Sequence, residues 1–197
     1  METWSDASYA DNTIDRKSSQ AYVMKPFGGV IGWRANKQDT VTTSTTEAEL
    51  LSLAQATKEA MFVSRLVKEI GVKLDSSRLN IWCDNQQTIR LVNADIAMLQ
   101  TKLDIHNHWL RQAVSRKTIK VAYTPTGDML ADGLTKALPT EAFRKFRSQV
   151  GLVDIKDRIE ARKIKVLTED DFDAAEDALS GGESDLISGK MDDLCIN

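Results

Sequence analysis

A long helical pattern that follows three short β-type runs limits most strictly what this chain can fold into. The pattern begins at a capping box formed by Ser44 and Glu47 and runs to about Ile70, where Gly71 stops it. The three preceding runs lie at 3–9, 20–26 and 30–36, and the Gly28-Gly29 pair supplies the turn between the second and third. The third run is rich in β-branched and aromatic residues. This order predicts antiparallel strands with a helix packed against them.

The rest of the chain alternates between strands and helices. We expect strands at 79–84 and 118–124, the second ended by Pro125, and helical stretches at 85–93, 104–115, 128–139 and 140–150. Hairpins first and crossovers later indicate an α/β domain, in which one mixed five-stranded sheet is covered by helices.

Charge is divided unevenly along the 197 residues. Residues 1–167 contain 25 Lys and Arg against 19 Asp and Glu, whereas residues 168–197 contain one Lys against ten acids. A basic body fits a polyanionic partner, although many inert domains have the same balance. We expect one globular domain at 1–155, a basic helical linker at 156–167 and an acidic, disordered tail at 168–197.

Cysteine content and hydropathy exclude several classes of protein. Cys83 and Cys195 are too few for a disulfide framework or a cysteine-based zinc site, and they fit a reducing compartment. The chain contains neither a run of 18 apolar residues nor a signal-like start. We therefore expect an intracellular protein, cytoplasmic or nuclear, without a membrane or secretion signal.

An acid lies on the apolar side of the long helix. At about 100° per residue, Glu49 falls in line with Leu53 and Ala56, whereas Glu47 falls on the polar side with Lys58. Glu47 is thus the capping residue and Glu49 the unexplained one. An edge carboxylate near a helix start is the alternative for Glu49.

Three more acids lie where local structure does not require them. Asp6 is within a β-type run, Asp84 directly follows one, and Asp132 opens a late helix. Taken singly, Asp84 is also explained as a helix N-cap and Asp132 as a helix-start residue. A buried carboxylate is costly unless a cation meets it, so the four acids together predict bound metal. Carboxylate oxygens suit a pair of hard divalent ions such as Mg²⁺.

Several motifs in one order point to a known family. They are Asp-Arg-Lys-Ser-Ser, then Thr-Thr-Ser-Thr-Thr-Glu-Ala-Glu-Leu-Leu-Ser-Leu, then Cys-Asp-Asn-Gln-Gln, and last Leu-Ala-Asp-Gly-Leu-Thr-Lys-Ala-Leu-Pro. Over about residues 4–155 the chain resembles the ribonuclease H domain at the C-terminal end of copia-type retrotransposon polyproteins. The resemblance implies a ribonuclease H-like fold with strand order 3-2-1-4-5. It also implies an endonuclease that cuts the RNA strand of RNA/DNA hybrids, leaving a 3′-hydroxyl and a 5′-phosphate.

The same resemblance implies a role for each acid toward two Mg²⁺ or Mn²⁺ ions. Asp6 would bridge both ions, Glu49 and Asp84 would complete the ion nearer the leaving group, and Asp132 would hold the ion that activates water. Glu49 would also accept a hydrogen bond from a ribose 2′-hydroxyl, the group that distinguishes RNA from DNA. The implied partners are an RNA/DNA hybrid and a reverse transcriptase in a parent polyprotein.

Polar residues outside the four acids are candidates for substrate contact. Asn85 and Gln86 are candidate minor-groove contacts, and the candidate phosphate contacts are Lys17, Arg34, Lys37 and Arg90. For each of these four cations a solvated surface position is the alternative.

His106 is the remaining catalytic candidate, because a nearby histidine can assist proton transfer. Packing or surface exposure is the alternative, since His106 lies on a predicted helix beside Trp109. The segment before Asp104 is also about three residues shorter than the family pattern, which would turn a helix by most of a turn. With the acidic tail, this supports an alternative function: a catalytically inactive or domesticated ribonuclease H-like module that binds nucleic acid or a protein partner.

Overall fold

Five strands form one mixed sheet. The structure, a computed structural model, describes residues 1–74, 76, 78–94 and 105–156. The strands are β1 (Glu2–Ser8), β2 (Ser19–Lys25), β3 (Gly32–Lys37), β4 (Leu79–Cys83) and β5 (Ile119–Tyr123). β1, β2 and β3 pair antiparallel, whereas β4 pairs parallel with β1 and β5 parallel with β4. The order β3-β2-β1-β4-β5 confirms the predicted ribonuclease H-like sheet.

Five helices accompany the sheet in the described part of the chain. They are α1 (Thr45–Glu69), α2 (Gln86–Asn93), α3 (Ile105–Ser115), α4 (Asp132–Thr135) and α5 (Thr140–Gln149). The cap predicted for α1 is present: Ser44 Oγ accepts a hydrogen bond from the Glu47 backbone N–H at 3.1 Å. Glu47 Oε2 in turn accepts from the Thr43 backbone N–H at 2.6 Å, one residue earlier than in the standard capping box.

α1 buries one face against β1, β2 and β4. The buried apolar side chains of this face are Ala48, Leu50, Leu53, Ala54, Ala56 and Ala60. Complete burial of a leucine such as Leu53 contributes about 2 kcal/mol. This face fixes the rotation of α1 about its axis, and it includes Glu49.

Side chains of β1 alternate between the two faces of the sheet, as in any strand. Ser5 points to α1, because its hydroxyl donates to Ser52 Oγ at 3.0 Å. Trp4 points the other way and packs beside Ala21 and Ala131 in a second, smaller apolar cluster. Asp6, two residues after Trp4, shares this second face.

The helix predicted at 128–139 is wrong in its extent. Residues Thr126–Asp128 form a 3-10 turn, α4 is a single turn, and Lys136 is already extended, with φ −131° and ψ 146°. Pro139 then precedes the first residue of α5. A proline disfavours helical geometry at the residue before it, so the segment is divided rather than continuous.

Some predicted features lie outside the described residues. These are Asp104 with the shortened segment before it, the linker from residue 157 onward, and the tail at 168–197. Residues Met1–Val153 form one compact unit. None of its described helices combines the length and the hydropathy that crossing a membrane requires.

Candidate active site

Two of the four acids are brought together by the pairing of β1 with β4. Trp4 lies opposite Trp82 in this parallel ladder. Counting two residues along each strand places Asp6 beside Asp84, on the same face and at the same end of the sheet. Asp6 is 1% exposed. Asp84 directly follows β4, and the N-cap of α2 is Asn85, so capping does not account for Asp84.

α1 supplies the third acid. Ser52 Oγ donates to the Asp6 backbone carbonyl at 2.8 Å, which attaches the first turns of α1 to the middle of β1. One turn earlier, Glu49 Oε1 accepts a hydrogen bond from the Ala7 backbone N–H at 3.4 Å. Glu49 is 5% exposed, so it is not a solvated edge carboxylate.

The fourth acid comes from the first residue of α4. Asp132 is buried, and one oxygen from each of Asp6, Asp84 and Asp132 lies within 4.8 Å of the others. Ligand atoms of Glu49, Cys83 and Asp84 form a second group with the same spacing. Because Asp84 belongs to both groups, all four predicted carboxylates meet at one place. We call Asp6, Glu49, Asp84 and Asp132 the carboxylate cluster.

The carboxylate cluster strongly disfavours further negative charge. Burial, together with repulsion from Asp6 and Asp84, raises the pKa of Glu49 to about 9. Burial also raises the pKa of Asp132 above its usual range, with Asp6 adding repulsion. The same two causes, burial first and then the Glu49 charge, raise the pKa of the Cys83 thiol. A cation placed among these oxygens would therefore be stabilised.

Three residues that the sequence did not identify contact the cluster. Lys136 Nζ donates to Asp132 Oδ1 at 2.8 Å and to Asp6 Oδ1 at 3.3 Å. Thr135 Oγ1 donates to the other oxygen of Asp6, and Thr126 Oγ1 donates to Asp84 Oδ2 at 2.9 Å. Lys136 is four residues after Asp132, a spacing that places two side chains on one side of a helix. From the sequence, this spacing could have indicated the contact between Lys136 and Asp132.

Comparison with known proteins finds similarity to Pol polyproteins of transposons. No family model matches it. It is 33% identical over 153 residues to the retrovirus-related Pol polyprotein from transposon TNT 1-94 of Nicotiana tabacum, covering 77% of this chain and 11% of the polyprotein. It is 31% identical over 156 residues to the Pol polyprotein from transposon RE2 of Arabidopsis thaliana, covering 79% and 11%. The chain is related to retrotransposon Pol polyproteins.

The predicted relationship to copia-type Pol polyproteins is thereby confirmed. The Pol-related chain spans about a tenth of the length of the polyproteins it matches. Among solved structures, an N-terminal ribonuclease H domain from Mycobacterium tuberculosis is 12% identical, with 75% of this chain and 95% of that chain covered and a TM-score of 0.48. The fold assignment rests on the strand order and pairing described above.

The predicted nucleic-acid contacts of the Pol-related chain divide into two groups. Asn85 has a structural role, because its side chain accepts from the Thr88 backbone N–H at 3.0 Å as the N-cap of α2. Gln86 and Arg90, also on α2, are exposed. Gln86 follows the cluster acid Asp84 by two positions in the sequence, and its side chain is exposed to a possible ligand.

The other three cations lie near β3 or the loop before β2. Arg34 is exposed and pairs in register with Tyr22, whose side chain belongs to the core on the α1 face. Lys37 is exposed and forms an ion pair with Asp15 at 3.0 Å. Lys17 is half-buried in the loop before β2.

His106 lies away from the carboxylate cluster. It lines a cavity of about 380 Å³ together with Gln38, Lys58 and Glu59, and none of the four acids lines this cavity. Among the described residues it forms no hydrogen bond with any of the four acids. Assistance of proton transfer by His106 remains a prediction without a supporting contact.

The donor chemistry of the cluster fits divalent metal. Carboxylate oxygens are the preferred ligands of Mg²⁺ and Mn²⁺, and three acids present oxygens within 4.8 Å of one another. Burial first, and then repulsion from Asp6 and Asp84, raise the pKa of Glu49, so charged carboxylates are unfavourable in this site unless a cation is present. Asp6, Asp84, Asp132 and Glu49 are therefore the residues that could hold metal.

Proposed function

We propose that this chain is a ribonuclease H, which cleaves the RNA strand of RNA/DNA hybrids and depends on two Mg²⁺ or Mn²⁺ ions. The single observation that supports the proposal most directly is the meeting of four acids, from β1, α1, the end of β4 and α4, at one end of the sheet. The relationship to Pol polyproteins supports it independently, because reverse transcription produces RNA/DNA hybrids.

Within this proposal each acid has a distinct position. Asp6 lies on β1, the central strand of the sheet, and is the acid that would bridge two ions. Glu49 and Asp84 would complete one ion, and Asp132, on the side of α4, would complete the other. Bound divalent ions would supply an activated water and stabilise the charge that develops on phosphorus.

The residues around the acids determine where the substrate lies. Glu49, whose carboxylate is oriented by the Ala7 backbone N–H, would accept a hydrogen bond from a ribose 2′-hydroxyl, as the family resemblance implies. Arg90 is an exposed cation that could contact backbone phosphates, and Lys37, which is also exposed, would have to exchange its ion pair with Asp15 for a phosphate. The positive balance of residues 1–167, with 25 Lys and Arg against 19 Asp and Glu, would favour such contacts.

A cleavage assay tests the proposal. The full chain should cut the RNA strand of a labelled RNA/DNA hybrid in Mg²⁺, leave 3′-hydroxyl ends, and leave DNA duplexes intact. Asp6→Asn and Glu49→Gln should each reduce the rate by on the order of a hundredfold or more, the scale seen when one stabilising group of a preorganised site is removed. Glu47→Gln, on the same helix but at the cap, is the matched control and should retain activity.

Two results would contradict the proposal. Equal cutting by the wild type and both cluster variants would identify a contaminating nuclease. A folded wild-type protein that binds the hybrid but does not cut it in Mg²⁺ or Mn²⁺ would instead identify a binding module.

A further inference from the structure

Lys136 occupies an unusual place for a lysine beside a metal-binding set of acids. Its ammonium group lies 2.8 Å from Asp132 Oδ1 and 3.3 Å from Asp6 Oδ1. Within the ranges that the structure describes, it is the one cation that forms an ion pair with any member of the carboxylate cluster. The two acids that it joins come from β1 and α4, two elements far apart in the sequence.

The neighbouring residue strengthens this arrangement. Thr135 Oγ1 donates to Asp6 Oδ2 while Lys136 Nζ donates to Asp6 Oδ1, so two consecutive residues hold both oxygens of one carboxylate. The backbone makes this possible, because α4 ends at Thr135 and Lys136 is extended. Both side chains can then reach back to β1.

The ammonium group is held by charge but is not enclosed. The Lys136 side chain is 37% exposed, whereas that of Asp6 is 1% exposed. Burial disfavours the charged ammonium, but the hydrogen bond to Asp132 and the charge of Asp6 outweigh burial and raise the pKa of Lys136 to about 12. A long side chain with one side open to solvent can leave the acids without any movement of the sheet.

A lysine ammonium and a divalent ion require the same oxygens here. An ammonium group has three N–H donors and no lone pair, so it cannot itself be a metal ligand. Two cations at one pair of carboxylates also repel each other. A metal ion that binds between Asp6 and Asp132 must therefore displace the Lys136 ammonium group, or it binds with lower affinity because the ammonium group remains.

We propose that Lys136 is a built-in competitor for divalent metal, which pairs with Asp6 and Asp132 when metal is scarce and lowers the affinity of these two acids for the ion. The inference rests on the proposed function, since it concerns the same acids. Lys136 is thus a positioning residue: it keeps the acids of β1 and α4 together without metal and sets the metal concentration at which the site fills.

Metal affinity measured without substrate separates this role from a purely structural one. Mn²⁺ and Mg²⁺ would be titrated by calorimetry into the full chain and into Lys136→Met and Lys136→Arg variants. Lys136→Met should bind Mn²⁺ more tightly by at least about tenfold, because a unit charge in direct contact with the ligand oxygens is removed. Lys136→Arg keeps the charge and should remain within about threefold of the wild type.

A second readout uses the protein without metal. In EDTA, Lys136→Met should lower the melting temperature, because the close acids lose their counter-charge, and added Mn²⁺ should raise it by more than in the wild type. Lys145→Met is the matched control, since Lys145 forms a comparable ion pair with Asp128 at 2.6 Å, outside the cluster. Its metal affinity should equal that of the wild type. Lys136→Gln, checked by circular dichroism, replaces Lys136→Met if the latter does not fold.

The outcomes separate this inference from the proposed function. If the wild type binds metal, and both Lys136→Met and Lys136→Gln bind it with the same or lower affinity, the competitor role alone is overturned. Absence of metal binding in the wild type and in all variants overturns the proposed two-metal function and the competitor role together. Tighter binding in Lys145→Met equal to that in Lys136→Met would show a general charge effect and would also overturn the competitor role.

Discussion

Replacing Glu49 by glutamine should stabilise the metal-free protein at neutral pH while it abolishes the proposed activity. Glutamine has the shape of glutamic acid, so its Oε1 can still accept from the Ala7 backbone N–H, 3.4 Å from that oxygen in the wild type. Its Nε2 can donate toward Asp6 or Asp84, where a carboxylate oxygen would repel them. The substitution therefore replaces a carboxyl group that is costly to keep protonated at neutral pH, and it creates no cavity.

The size of the effect follows from the pKa of Glu49, which is about 9 in the folded protein against an ordinary value of 4.5. Between these two pH values the folded state binds more protons at Glu49 than the unfolded state does, so the free energy of unfolding falls as the pH rises. The stabilisation from a raised pKa is complete below pH 4.5 and is lost as the pH approaches about 9. At about pH 7.5 the loss covers three pKa units, or at most about 4 kcal/mol. Glutamine does not titrate and avoids this loss.

Urea denaturation in EDTA measures the difference. At about pH 7.5 Glu49→Gln should be more stable than the wild type by roughly 2–4 kcal/mol, and at about pH 4.5 the two should be nearly equal. Glu47→Gln provides a contrast on the same helix, because Glu47 caps α1 through Thr43. That variant should be destabilised by about 1 kcal/mol, with little dependence on pH in this range. A Glu49→Gln protein no more stable than the wild type at neutral pH, or one with the same advantage at both pH values, would refute the reasoning.

Two further substitutions test the packing that positions the site. Ser52→Ala should lower the free energy of unfolding by about 1–2 kcal/mol, because the Ser52 hydroxyl joins Ser5 to the Asp6 backbone carbonyl; urea denaturation measures the loss, and an unchanged midpoint would contradict it. Gly133→Ala should lower the free energy of unfolding by about 1–3 kcal/mol, because a Cβ at this position would lie 2.5 Å from the Phe146 ring on α5. A melting temperature equal to that of the wild type would contradict this, since it would mean that α5 moves away from the new methyl group at no cost.

Strand and helix order, and three of the four acids, follow from local patterns in the sequence. The helical phase alone places Glu49 with Leu53 on the buried side, and the β-type runs place Asp6 within one strand and Asp84 directly after another. Parallel pairing of β1 with β4 then brings the last two together. Such features are predictable because periodicity and strand position are local properties.

Lys136 shows what local patterns do not give. A continuous helix at 128–139 would put Lys136 on the surface beside Asp132, and the contact with Asp6 depends on α4 ending after one turn. Lys37 is similar, because its ion pair with Asp15 joins β3 to the loop before β2. The partners of exposed cations are determined by tertiary structure, and the periodic patterns of a single sequence do not reveal them.

The hydrogen bond between Thr135 and Asp6 joins residues 129 positions apart in the chain. Contacts at such separation form slowly, because a long stretch of polypeptide must be ordered before its ends can meet. During synthesis on the ribosome, Asp6 on β1 cannot form its contacts with Thr135 and Lys136 until nearly the whole domain has been made. A nascent or truncated polypeptide that ends before α4 would lack Asp132, so under the proposed function it would have an incomplete set of acids and could not cleave hybrids.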